Sequence, residues 1–176
     1  MMIAATVLQT VAAAVKPWSS LYSDSTAVSS AVTFFHLGGL LFAGGLAVAS
    51  DRATFRALRG TEEDRTRLLT DLAGAHKWVL TGLSVIFASG LLLALADVKT
   101  FGPSPVYWTK MSLVALLLVN GTLLQRTEQK LRAGSLLTQS SAPRKQLWSR
   151  LRFAAAASMA LWTAIVLAGV ILVETS

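Results

Sequence analysis

Apolar residues in this chain gather into long runs separated by short polar connections. The clearest run, residues 31–50, reads AVTFFHLGGLLFAGGLAVAS and is closed by Asp51-Arg52. About twenty residues rising ~1.5 Å each cover roughly 30 Å, the hydrocarbon depth of a bilayer. No polar face interrupts it, so it lacks the stripe of a water-soluble surface helix. The same pattern predicts spans over about residues 28–50, 73–96, 107–125 and 153–173. The first fifteen residues form a shorter helical candidate, with Ile3, Val7, Leu8, Val11 and Val15 at helical spacing. No basic residue precedes it, so a secretory leader is poorly supported. Pro17 cannot extend a helix begun before it, so this helix is expected to stop there. Residues 19–30 then read as a polar connection, with Asp24 or Ser25 as a cap for the first span.

Other punctuation is local. Thr61 followed by Asp64 is a capping-box start for a helix that runs into the second span. Gly102, Pro103 and Pro105 break the chain between spans two and three, and residues 134–143 are loop-like in composition. The expected architecture is all-α. It is an integral membrane four-helix bundle over residues 28–173, with an additional N-terminal interfacial helix over residues 1–18.

Composition sharpens this picture. Hydrophobic residues make up 53% of the 176 residues, enough for one small bundle and little else. There is no cysteine, which removes disulfides, thiolate metal sites and cysteine nucleophiles. The formal charge of +7 belongs to basic loops rather than to a nucleic-acid surface. Arg126, Lys130, Arg132, Arg144, Lys145, Arg150 and Arg152 gather around the last connection, with Glu128 their one acid. The connection after span one is also arginine-rich. Both are expected in the cytoplasm of a cell (inner) membrane, with both termini outside.

Depth along the spans sorts the polar residues into two layers. His36 lies sixteen residues before Arg52, about 24 Å from that boundary, and Lys110 opens the third span on the same side. His76 and Asn120 lie near the arginine-rich side. The two histidines are then ~14 Å apart along the membrane normal, so one haem iron ligated by both is disfavoured. A single-histidine haem at His36 is allowed, its second position open or filled by Lys110 once deprotonated. Small residues Gly39 and Ala43 on the His36 side either pack helices closely or leave room for a flat cofactor. Trp162, near mid-membrane, either stacks on such a ring or packs in the core. His76 is the second metal-ligand candidate, and Asn120 either contacts a cofactor or bridges two helices.

Other chemistries are poorly served. Two histidines with no carboxylate beside them in the spans make a weak zinc or manganese site. No Ser-His-Asp grouping and no phosphate-binding glycine loop is present. Asp24, Asp51, Asp71, Asp97 and Glu174 all read as border residues, whereas an ion transporter usually carries a mid-span acid.

Three segments together resemble the HemJ-type protoporphyrinogen oxidase family and related small haem-associated membrane proteins. They are FFHLGG around His36, the charged run Asp64-Arg65-Thr66-Arg67-Leu68, and Tyr107-Trp108-Thr109-Lys110-Met111-Ser112-Leu113-Val114. The resemblance implies haem b, with its iron, and oxidation of protoporphyrinogen IX, with His36 and Lys110 as the functional pair. The chain departs from the family pattern at Ala49-Ser50-Asp51, at Asn120-Gly121 and in residues 154–158. The expectation is a haem-b-binding oxidoreductase that oxidises a porphyrinogen or passes electrons to a partner. Lys110 would be its catalytic group, and His36, His76, Gly39, Ala43, Asn120 and Trp162 its cofactor-binding residues. The alternatives are a non-enzymatic accessory subunit of a larger membrane complex and a small solute or metal transporter. The expected partners are the lipid bilayer and a second copy or membrane-complex subunit, not nucleic acid.

Overall fold

The computed structural model describes residues 2–136 and 141–174, all helix and short turns. In chain order the elements are α1 (Met2–Ala14), α2 (Lys16–Asp24), α3 (Thr26–Arg59), α4 (Glu62–Ala96), α5 (Val98–Phe101), α6 (Pro105–Leu136) and α7 (Ser141–Glu174). Four of them, α3, α4, α6 and α7, are long and apolar enough to cross a membrane.

The N-terminal expectation needs correction. The chain breaks for one residue at Val15, but Pro17 then sits in the first turn of a new helix. Proline is tolerated there because its missing N–H has no intrahelical partner to lose. Residues 19–24, expected as a polar connection, are therefore helical. The hydroxyls of Ser20 and Ser23 bond back to the carbonyls of Lys16 and Ser20. The side chains of Trp18 and Ser19 donate to the carbonyls of Leu92 and Ala96 in the last turn of α4. Helix α2 thus occupies acceptors at an end where helix carbonyls lack intrahelical donors.

The long helices start and stop for legible reasons. Ser25 caps α3, its hydroxyl accepting from Val28 N–H. The expected box at the start of α4 is formed: Asp64 N–H donates to Thr61 Oγ1 at 3.3 Å, and Thr61 N–H donates to Asp64 Oδ2 at 2.8 Å. Ser104 Oγ accepts from Tyr107 N–H at the start of α6. The break between spans two and three holds the single turn α5, whose Asp97 side chain accepts from Thr100 N–H. Of residues 134–143, expected as loop, α6 covers those through Leu136 and α7 those from Ser141; residues 137–140 lie outside the described residues.

Helix α3 packs most extensively on α4 and also on α7, and α6 packs on α7. Helices α4 and α6 meet only sparsely. Two cores result. One, built on Ala43, Ala47, Leu117, Trp162 and Ile165, lies in the apolar middle. The other, of Ala57, Leu68, Leu69, Leu72, Leu131, Trp148 and Leu151, lies at the arginine-rich end. There the helices run two to three turns past their apolar stretches.

Candidate cofactor site

His36 of α3 is half-buried against α4. Its Nδ1 lies 3.2 Å from the Ile86 carbonyl and 3.1 Å from Ser89 Oγ. The Ser89 hydroxyl is 2.6 Å from the Val85 carbonyl, to which it donates. Ser89 therefore turns a lone pair to the ring, and both neighbours of Nδ1 are acceptors. Only a protonated Nδ1 satisfies them, which leaves the Nε2 lone pair unused in the neutral imidazole. Metal-ligating histidines commonly carry this pattern, with one ring N–H held by a carbonyl and the other nitrogen open. Gly90 makes the approach possible: a Cβ there would come 3.0 Å from His36 Cε1.

Lys110 of α6 lies against α7, where a Cβ on Gly169 would be 3.4 Å from its Nζ. Among the described residues it forms no ion pair. It lies at the same end of the long helices as His36, away from the arginine-rich one. Three helices thus bring an oriented imidazole and an unpaired ammonium toward the same end, as the shared depth of the two residues led one to expect.

The other candidates are placed elsewhere. His36 contacts residues 86–90 of α4, so His76 lies about thirteen residues, or ~20 Å, farther along that helix. The two cannot ligate one iron. Nδ1 of His76 donates to the Leu72 carbonyl at 2.7 Å and is 3.4 Å from Glu128 Oε2. Asn120 does not join His76; its amide donates to the Ala154 carbonyl at 2.9 Å and ties α6 to α7.

Gly39 and Ala43 leave no slot between α3 and α4. A Cβ on Gly39 would come 2.9 Å from Ile86 Cγ1, and one on Gly82 would come 2.7 Å from Ala43 Cβ. The room that small side chains free is taken by the neighbouring helix, because close backbone approach gains dispersion contacts. Trp162 is buried in the middle core with its ring against Gly44.

Two acids also depart from expectation. Asp51, read as a border residue, is only 4% exposed, accepts a hydrogen bond from Ser158, and has a second oxygen without a partner. Its position was visible in the spacing, since Gly39, Ala43, Ala47 and Asp51 recur every four residues on the buried face of α3. Glu128 is 3% exposed, bonded to Arg132 and near His76. Its cue was spacing too: it falls four residues after Leu124 and three before Leu131, both in the arginine-end core. Ser89, which sets the His36 tautomer, had no signal beyond a small hydroxyl beside Gly90.

If haem were bound, the donors present would hold its iron through His36 Nε2 alone. They do not fit a bis-histidine site, and the α3–α4 contact has no gap for a macrocycle. No group of three or more metal-ligating His, Cys, Asp or Glu side chains occurs among the described residues. No family model, curated protein or solved structure matches this chain.

Proposed function

We propose that the chain is a multi-pass membrane protein, a four-helix bundle with α1 and α2 at the interface, that binds haem b one-sidedly through His36 and works as a redox protein. The arginine-rich end faces the cytoplasm of a cell (inner) membrane, and both termini lie outside. The observation that carries the proposal is the placement of His36 Nδ1 between the Ile86 carbonyl and Ser89 Oγ, which favours a proton on Nδ1 and leaves Nε2 free to take a ligand. When bound, the haem would supply the electron chemistry. The chain's own part is to orient the imidazole, hold the Nδ1 proton on two acceptors, and offer an ammonium to an anionic group. That group is a propionate of the cofactor or the carboxylate of a porphyrinogen substrate. Oxidation of protoporphyrinogen is the specific activity suggested by the resemblance around His36 and Lys110.

A reduced-minus-oxidised spectrum of the purified protein, with quantitation of the extracted haem, tests this. The expected result is a haem b band at no more than one haem per chain, lost in His36→Ala and retained in His76→Ala. No band in the native protein, or an equal band in His36→Ala, would refute it.

A second reading has its own support. The α3–α4 contact is filled by Gly39, Ala43, Gly82 and Ile86, and Phe34, Phe35, Leu41 and Phe42 are exposed on α3. A tightly packed pair with a large apolar outer face suits an accessory subunit of a larger membrane assembly. Co-purification of one partner at fixed ratio, with no haem, would favour that reading over the redox one.

A further inference from the structure

The arginine-rich end sorts its charges by position. Asp51 and Glu128 are buried, Asp64 holds its helix cap, and Glu62 pairs with Arg65 and Arg144. Of the other acids at this end, Glu63 lies at the α3–α4 tip and Asp71 one helix turn before His76. By contrast Arg52 and Arg56 on α3, Arg126 on α6, and Arg150 and Arg152 on α7 are all exposed. None of these five forms an ion pair among the described residues.

Interhelical contacts fix their relative heights. Asn120 is level with Ala154, and Asp51 is level with Ser158. Counted from those contacts at 1.5 Å per residue, the five arginines fall in a band about 13 Å deep. Leu123 on α6 and Phe153 on α7, both exposed, fall within that band, so apolar and cationic surface overlap there. Arg52 and Arg56, four apart, share a face of α3 turned away from buried Asp51 and Thr54. The other three lie on the outsides of α6 and α7. A soluble anion or a small acidic protein would reach one of these faces. A charged plane around the helices reaches all of them.

We propose that this band is a binding site for anionic phospholipid headgroups of the leaflet at the arginine-rich end. The proposal rests on the membrane reading above but not on the haem. Each cation near an anionic lipid surface contributes about 1 kcal/mol, so two lost cations weaken retention about thirtyfold. The attraction is screened by salt.

The test uses the full chain in lipid nanodiscs of phosphatidylcholine with increasing phosphatidylglycerol, read by lipid retention in native mass spectrometry and by melting temperature. The expected result is preferential retention of phosphatidylglycerol and a rise in melting temperature, both weakened by high salt. The double variant Arg126→Gln/Arg152→Gln should lose about thirtyfold in retention. Lys16→Gln/Lys99→Gln, with the same charge change at the opposite end, should lose little. Soluble glycerophosphate should give no shift. Equal retention in the two double variants, or an equal response to glycerophosphate, would overturn the proposal. Failure to enter pure phosphatidylcholine discs would overturn the membrane reading as well.

Discussion

Glu128, near the arginine-rich end, is 3% exposed and has Arg132 and His76 beside it, so its charge is matched on the spot. Lys110, at the opposite end, has no acid partner among the described residues, and its neighbour His36 keeps one nitrogen uncommitted. The Glu128 cluster joins α4 to α6, which otherwise touch little, and lies beside the core of Leu69, Leu72 and Leu131. The two regions differ in what their polar groups are free to do. A buried charge held against its counter-ion inside a core fixes helix positions. An oriented base with an open lone pair beside an unmatched cation can take a ligand. On the redox reading proposed above, chemistry would belong to the second region and rigidity to the first.

The largest effect should come from unpairing the first region. Glu128→Ala leaves Arg132 beside the Leu69 carbonyl without its carboxylate. Removing one partner of a buried pair costs about 3–5 kcal/mol, and the partial exposure of Arg132 puts this case at the lower bound. A denaturation midpoint in detergent, compared with Glu128→Gln, measures it. If both variants unfold like the native protein, the cluster is not a structural clamp.

Next comes the close approach of α3 and α4. Gly82→Val puts atoms where Ala43 already sits, since even a Cβ there would be 2.7 Å from Ala43 Cβ. Overpacking of this kind costs about 1–3 kcal/mol. Here it should also shift His36 relative to Ser89, because the same pair of helices holds both. Thermal unfolding reads the first effect and, on the redox reading proposed above, haem retention of the native protein against the variant reads the second. A variant of unchanged stability would show that the helices can part freely.

The second region should behave in the opposite way. Ser89→Ala and His36→Ala remove neutral hydrogen bonds, each of which contributes about 0.5–1.5 kcal/mol. Stability should change little while haem retention falls, strongly for His36→Ala and partly for Ser89→Ala, since Ile86 still accepts from Nδ1. Retention that tracked stability across both variants would place His36 with Glu128 as a packing residue.

Much of this was readable in the chain, and its gaps have a common cause. Length and apolarity marked four helices, Thr61 and Asp64 marked a box that the structure forms, and the depth of His36 and Lys110 put them at one end. Asp51 continues the four-residue repeat of Gly39, Ala43 and Ala47 into the buried face, so here periodicity outweighs charge. Pro17 ends the helix before it, and that effect is local to the sequence. That a second helix follows at once is fixed by Trp18 and Ser19 finding carbonyls on α4, a contact 74 to 77 residues away in sequence. The fate of Gly39 and Ala43 was likewise undecidable locally. Small residues permit either a cofactor or a helix, and only the position of Gly82 on the partner shows which one came.

The smallest expected effect is a pH dependence at the tip of the α3–α4 connection, where charge is exposed and its role is helix initiation. The Thr61 backbone N–H and hydroxyl, 2.8 and 2.9 Å from Asp64 Oδ2, hold the Asp64 carboxyl below its ordinary range. A carboxylate depressed in the folded chain binds its proton less readily there than in the unfolded chain. Its contribution is therefore complete above the unfolded value, about 4, and is lost as pH falls through the lower folded value. Asp64→Asn removes the titration but leaves the helix sequence otherwise intact. Melting temperatures of the native protein and Asp64→Asn should differ near neutrality and converge in acid. A gap that stayed constant down to acid would mean that the box acts through shape alone. A gap as large as that of Glu128→Ala would erase the distinction between an exposed cap and a buried clamp.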